Sequence, residues 1–366
     1  MTEFTDPVPH AGGVLTIHKQ GAQYSLSYHH MNHKRVGLAE LIAVNGNAVA
    51  VVPIAGVSSN PAPAPPELMV MLPTDGEAMY GRHCPECHSY FRTSHPFTEL
   101  CPYCVAKAAP FEFFTEDQRS FIKRQHDAII AAMQAADGDT RIDFDAQIAQ
   151  PDCKDPWVYS DERQQTRFQC VNCHLEYDVL GQYVRCPHCG RRTAREVITR
   201  TLSDLSRDFE SDAKGIPKDE RERRQRQWRA YVVSVVAIFE ALGRDVAGAL
   251  ARLPCTPARR KAILALSFQR LNEVAHNLRD WFGLDLLDQL GEDDKTHLHL
   301  MFNRRHLFAH CDGKVDREYL DKTNDTTVRL NQVLTVDSKQ VRRLVATVTT
   351  VATNLLDGFD SITPPK

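Results

Sequence analysis

Four C-x-x-C pairs, Cys84/Cys87, Cys101/Cys104, Cys170/Cys173 and Cys186/Cys189, constrain this chain more than any other feature of it. They take up eight of its eleven cysteines and leave Cys153, Cys255 and Cys311 over, most simply as small buried residues. A C-x-x-C turn offers two sulfurs from one tight knuckle, and zinc takes four tetrahedral thiolate or imidazole ligands. Knuckles about a dozen residues apart leave room for a hairpin between them. "CPECHSYFRTSHPFTELCPYC" and "CVNCHLEYDVLGQYVRCPHC" therefore read as two copies of one unit, each a four-cysteine zinc ribbon folding around its own ion. Thiolate fills all four positions, so both zinc ions are structural and no catalytic position stays open. His88, His174 and His188 read as neighbours rather than ligands.

Such knuckles belong to a reducing compartment. The opening "MTEFTDPVPH" has neither the basic start nor the apolar run of a secretory signal, and no stretch approaches the roughly 20 apolar residues of a membrane span. The expectation is a cytoplasmic protein with no membrane contact. A net charge of -3 excludes a globally basic nucleic-acid binder but allows a local basic patch. Arg185, Arg191, Arg192 and Arg195 around the second ribbon's outer knuckle would suit phosphate contact; the plainer alternative is a solvated charged face. Ribbons also recognise proteins, so a protein partner is equally consistent with these modules.

Around the ribbons the patterning predicts a multi-domain α+β chain. Residues 1–57 read as β-rich, with "ELIAVNGNAVAVV" forming a hairpin about Asn45-Gly46. Residues 58–80 are a proline-rich linker, 81–110 the first ribbon and 165–195 the second. A helical connector spans 111–150, capped by Thr115 and Gln118 and ended by "DGD" at 137–139. From about 200 to 361 the pattern is an antiparallel helical bundle. "WRAYVVSVVAIFEALGRDVAGAL" carries Trp228, Tyr231, Val235, Phe239, Leu242, Val246 and Leu250 at helical steps. Thr256-Pro257 opens a helix with Phe268, Leu271, Leu278 and Phe282 on its apolar side, stopped by Gly283. Another helix runs from about Lys295 to Cys311. "TTVRLNQVLTV" reads as a small inserted β-hairpin before a last helix capped by Asp337 and Gln340.

The helix ending at Cys311 carries the second concentration of chemistry, "FNRRHLFAHCDGKVDREYL". Asn303, His306 and His310 share one helical face, Arg305 flanks them, and no acid lies between Lys295 and Asp312. Such a row attracts phosphate. "RHLFAH" resembles the motif of the HEPN superfamily (higher eukaryotes and prokaryotes nucleotide-binding), an arginine, four to six residues, then histidine, with a polar residue after the arginine. Arg305, His306 and His310 match those positions, and the continuation "HCDGKVDREYL" is similar to HEPN-type bacterial domains.

The resemblance implies a HEPN-like bundle over about 200–361, acting as a metal-independent endoribonuclease in a homodimer whose motif helices face each other, with RNA as substrate. It further implies a place in bacterial antiviral defence or a toxin system. His310 would be the acid/base, Arg305 the stabiliser of the charged phosphorane, and His306 an orienting group or second acid/base; Asn303 and Arg304 would contact substrate. Imidazole and guanidinium suit those tasks. Rival readings are an inactive HEPN adaptor that dimerises while the ribbons bind nucleic acid or protein, zinc on His306, His310 and Cys311, and a plain core helix with a wet polar face. A sequence-specific DNA-binding regulator fits less well, because no base-reading helix stands out.

Overall fold

The computed structural model describes residues 14–29, 39–45, 48–51, 68–73, 79–94, 98–114, 116–143, 146–147, 150 and 165–363. The proline-rich 58–67, Thr115 and Cys153 lie outside them. The chain divides into two compact units, Met1–Arg192 and Thr193–Pro365. Among the described residues no helix is long and apolar enough to cross a membrane.

In the first unit, β1 (Val14–Gln20) pairs antiparallel with β2 (Gln23–His29). The two strands expected on either side of Asn45-Gly46 pair, β3 (Ala39–Asn45) against β4 (Ala48–Val51) in a register that sets Asn45 opposite Ala48, and Gly46 lies outside the described residues. On its other edge β3 pairs with β5 (Leu68–Pro73), so part of the expected linker is strand. The expected connector also does more than connect. Its helix α1 (Glu116–Gln134) ends before "DGD", and the chain continues at once into β8 (Gly138–Asp143), which pairs with β1. Leu15 and Ile17 on β1, Ile142 on β8 and Ile129 and Ala132 on α1 close one apolar cluster. Alternation along β1 puts Leu15 and Ile17 on the same face, which is why the helix settles there.

The ribbons contribute β6 (Tyr80–His83) and β7 (Tyr90–Thr93) from the first repeat, β9 (Gln165–Gln169) and β10 (Glu176–Leu180) from the second. The expectation of two separate modules is corrected here. The four strands form one sheet in the order β6-β7-β10-β9, with Tyr177 opposite Thr93 and Val179 opposite Phe91. Phe91, Phe113, Tyr177, Val179 and Val184 form a single core with Cys84, Cys101, Cys170 and Cys186. Across the seam the buried Asp178 carboxylate accepts from Arg92 of the first repeat and, at 2.8 Å, from Arg167 of the second. Burial alone would raise the Asp178 carboxyl; Arg167 and Arg92 together hold it below the ordinary carboxylate range. Tyr103 also crosses, donating from its hydroxyl to Tyr90 O at 2.7 Å and accepting from Leu180 N at 2.8 Å. Each repeat alone is too small to bury a core, and sharing one sheet removes that deficit.

The second unit is helical: α2 (Ala194–Gly215), α3 (Arg221–Leu250), α4 (Pro257–Leu264), α5 (Leu271–Phe282), α6 (Glu292–His310), α7 (Arg317–Thr323) and α8 (Ser338–Ile362). The whole stripe from Trp228 to Leu250 on α3 is buried, as its spacing predicts. On α8 the Asp337 and Gln340 capping box forms in both directions, and Val341, Leu344, Val348, Val351 and Leu355 are buried. The helix expected from Thr256 to Phe282 is two helices. Thr256 caps α4 by accepting from Arg259 N at 3.2 Å, but the chain breaks after Leu264 and restarts at Leu271. In the break Phe268 turns into the core, edge-on to Phe239 at 5.9 Å between ring centroids. It lies so close to α3 that a Cβ at Gly243 would sit 2.1 Å from its ring. Gly283 stops α5 in the left-handed region at φ 69°.

The expected β-hairpin at 326–336 is absent. That segment is turns and loop with one isolated bridge, Lys314 to Val333. Only Leu334 and Val336 of it are fully buried apolar residues, while Leu330 and Val333 are exposed. The alternation that suggested strands instead serves to dock a loop.

Candidate functional site

Two sites emerge, one of sulfur and one of imidazole and guanidinium. In each ribbon the four sulfurs lie within 4.8 Å of one another. Cys84 and Cys104 Sγ are 3.5 Å apart and Cys87 and Cys101 3.7 Å; Cys170 and Cys189 are 3.4 Å apart and Cys173 and Cys186 3.5 Å. A tetrahedral ion with bonds of about 2.3 Å sets its sulfurs about 3.8 Å apart, so either cluster can hold one with little adjustment.

All four knuckles close alike. The residue after the second cysteine donates its N–H to the first cysteine's carbonyl: His88 to Cys84 at 3.0 Å, Val105 to Cys101 at 3.2 Å, His174 to Cys170 at 2.8 Å and Gly190 to Cys186 at 3.0 Å. Each of the four sits in the left-handed region, with φ between 55° and 75°. His88 and His174 thus occupy a turn position and are not in the sulfur clusters, as expected. Burial pushes the Cys101 and Cys186 thiols up, and a bound cation would reverse that by favouring thiolate. Arg195, grouped with the second ribbon from its position in the sequence, belongs to the second unit and pairs with Asp357 at 2.6 Å and Asp360 at 3.3 Å. That leaves it poorly placed to serve as a phosphate contact.

The second site lies along α6. His306 and His310 are exposed, with ring centroids 5.0 Å apart. Asn303 is half-buried and donates from Nδ2 to His299 O at 2.9 Å. Arg305 points inward, its side chain only 15% exposed, and Nη2 meets Glu240 Oε2 of α3 at 3.5 Å. Its Nε is buried and has no hydrogen-bond acceptor among the described residues. Glu240 is buried as well and accepts on Oε1 from Gln269 at 2.9 Å and Arg244 at 3.3 Å.

Sequence reading missed Glu240, although a signal was present: it is the one carboxylate between Tyr231 and Gly243, set within an apolar helical stripe. A buried acid must find a cation, and Arg305 is part of its answer. Arg229 of α3 was missed too. It donates to Asp312 O at 3.0 Å and Leu334 O at 2.7 Å and lies over the Phe308 ring, fixing the chain directly after His310.

Arg304, expected to contact substrate, turns its side chain into the fold instead of onto the histidine face. Its side chain is buried, donating to Asp325 Oδ2 at 2.9 Å and to the Tyr319 hydroxyl at 3.1 Å. Tyr319 in turn donates to Asp325 at 2.7 Å. Adjacent helical residues point about 100° apart, so Arg304 and Arg305 serve different sides of α6. Burial alone would raise the Asp325 carboxyl, and hydrogen bonds from Thr327, Tyr319 and Arg304 hold it well below the usual range.

A folded-state pKa below the unfolded value of about 3.9 means the stabilisation is fully present above that value. It is lost as pH falls through the folded one. Asp325→Asn would leave the Arg304 charge buried without a counter-charge, at a cost of about 3 kcal/mol. Urea unfolding of the intact chain followed by its helical signal is expected to show that loss at pH 7, with the difference from the parent narrowing below about pH 4. Equal stability of parent and variant at pH 7 would remove this clamp from the account.

No family model matches the chain, and no curated protein or solved structure is significantly similar to it.

Proposed function

We propose that the protein is a metal-independent endoribonuclease of HEPN type whose fused ribbons hold two structural zinc ions. The observation that carries the reading is the pair of exposed imidazoles, His306 and His310, on the helix that also bears Arg305 braced by Glu240. Arg305 flanks that row on the same helix, anchored through Nη2 by Glu240, and a guanidinium fork suits the shape and charge of a phosphate.

In the proposed reaction one imidazole takes the proton of the ribose 2′-OH as that oxygen attacks the adjacent phosphorus. A second imidazole protonates the departing 5′-oxygen. The products are a 2′,3′-cyclic phosphate and a free 5′-hydroxyl, and Arg305 neutralises the charge gathered on the phosphorane between them. A face-to-face dimer would double the number of imidazoles around one phosphate, so a homodimer belongs to the proposal. The ribbons, with all ligand positions filled by cysteine, take no part in the chemistry and serve recognition of nucleic acid or a protein partner. Antiviral defence or toxin action in bacteria, in the cytoplasm, is the setting this activity suits.

The test is to give the purified protein an RNA and a DNA of the same sequence without added metal, and to weigh it by light scattering. RNA cut with DNA intact, by a particle of twice the chain mass, is the expected result. An uncut RNA, or a monomer at tens of micromolar with or without RNA, would count against it and favour the non-catalytic adaptor.

A further inference from the structure

The polar row on α6 does not stop at Asn303. His299, Asn303, His306 and His310 follow at steps of four, three and four residues, one face about 16 Å long at 1.5 Å per residue. That length accommodates a few nucleotides of a single strand, whereas the proposed chemistry engages one phosphate at the His306–His310 end. The other end is bordered by α5. There Asn272, exposed in the first turn of α5, sets its Nδ2 3.1 Å from His299 Nδ1. Asn303 meets the backbone of the same histidine, and Gln269, just before α5, bonds the carboxylate that braces Arg305. Two carboxamides, Asn272 from α5 and Asn303 from α6 itself, therefore meet at His299.

A primary amide carries two N–H donors and one acceptor oxygen. Asn272 uses one N–H and Asn303 one N–H in these bonds, so each keeps a second N–H and an acceptor oxygen. That pair matches the adjacent N6–H donor and N7 acceptor of adenine, the pairing an Asn or Gln makes in two parallel bonds. RNA-binding proteins read unstacked single-strand bases through such edges.

We infer that Asn272, supported by Asn303, forms a subsite for an adenine base on the same face of α6 as the phosphate held by Arg305, His306 and His310, at the opposite end of the row. The inference rests on the ribonuclease reading above and adds base selection to it. Asn272 is a specificity residue here and touches no reacting atom.

The experiment uses the full chain carrying His310→Ala, so that RNA is bound without being cut. Its affinity for short single-stranded RNAs, identical except for adenine or uridine at one place, is measured by fluorescence anisotropy. The expected result is about tenfold tighter binding of the adenine RNA, within the range of one bidentate base contact. Adding Asn272→Ala should erase that difference, and adding Asn272→Asp, which leaves only acceptors, should move the preference toward cytosine. Asn272 is exposed, so these changes leave the fold in place. RNA binding without base preference, or a preference that survives Asn272→Ala, overturns the subsite and leaves the nuclease reading standing. No RNA binding by either the parent or the His310→Ala chain overturns both.

Discussion

Removing metal from either ribbon is expected to undo both. If each repeat folded around its own ion, Cys84→Ser would empty one site and leave the other at full strength. The structure joins them through one sheet, one apolar core and the Arg92–Asp178–Arg167 seam. Structural zinc supplies on the order of 10–16 kcal/mol of apparent folding free energy per site in small domains, far more than so small a core supplies. Losing one ion therefore loosens β6 and β7, and with them the edge on which β10 pairs. Cys84→Ser should abolish the first site and weaken zinc binding at Cys170, Cys173, Cys186 and Cys189 by about tenfold or more. The parent should carry close to two zinc ions per chain by elemental analysis. A chelator titration of the variant would show whether its remaining ion is lost at lower chelator than in the parent. A remaining site with parental affinity would make the ribbons independent. Because the second unit builds its core from its own helices and loops, away from the cysteine clusters, its helical signal should survive chelation.

The ligand set was legible because metal coordination writes itself into local spacing: eight cysteines in four pairs predict two clusters, and two clusters form. Helix α3 and the α8 cap were legible for the same local reason. What the sequence concealed is pairing at a distance. Val179 opposite Phe91 joins strands from different repeats, and Leu15 opposite Ile142 pairs strands far apart in the chain. Neither has a local mark. The single helix expected across 265–270 failed because Phe268 has helical spacing yet packs against Gly243, a tertiary contact that outweighs the pattern. On the motif helix, the residue types gave the face, but only burial separates the two neighbouring arginines. Arg304 answers Asp325 inside the fold, and Arg305 answers Glu240 beside the histidines.

That separation gives the second large effect. His310→Ala should lower RNA cleavage by about a hundredfold or more, the usual contribution of a general acid or base. Arg305→Ala should cost a comparable factor through lost stabilisation of the phosphorane. Both variants should keep their zinc, and His310→Ala, at an exposed position, should keep its unfolding midpoint as well; Arg305→Ala removes one of the cations that meet the buried Glu240, so its cleavage is compared at equal folded fraction. Arg304→Ala is expected to behave differently, losing activity in proportion to the fraction unfolded, because it strips Asp325 of its cation.

The most direct measurement is of the cut ends themselves. Parent and His310→Ala protein, each still holding its zinc, are incubated with RNA in EDTA, and the 3′ ends of the fragments are identified. The parent should leave 2′,3′-cyclic phosphates, and the variant should leave the RNA intact. Fragments made equally well by His310→Ala, or cutting by the parent that stops in EDTA while the ribbons keep their metal, would contradict the proposed chemistry.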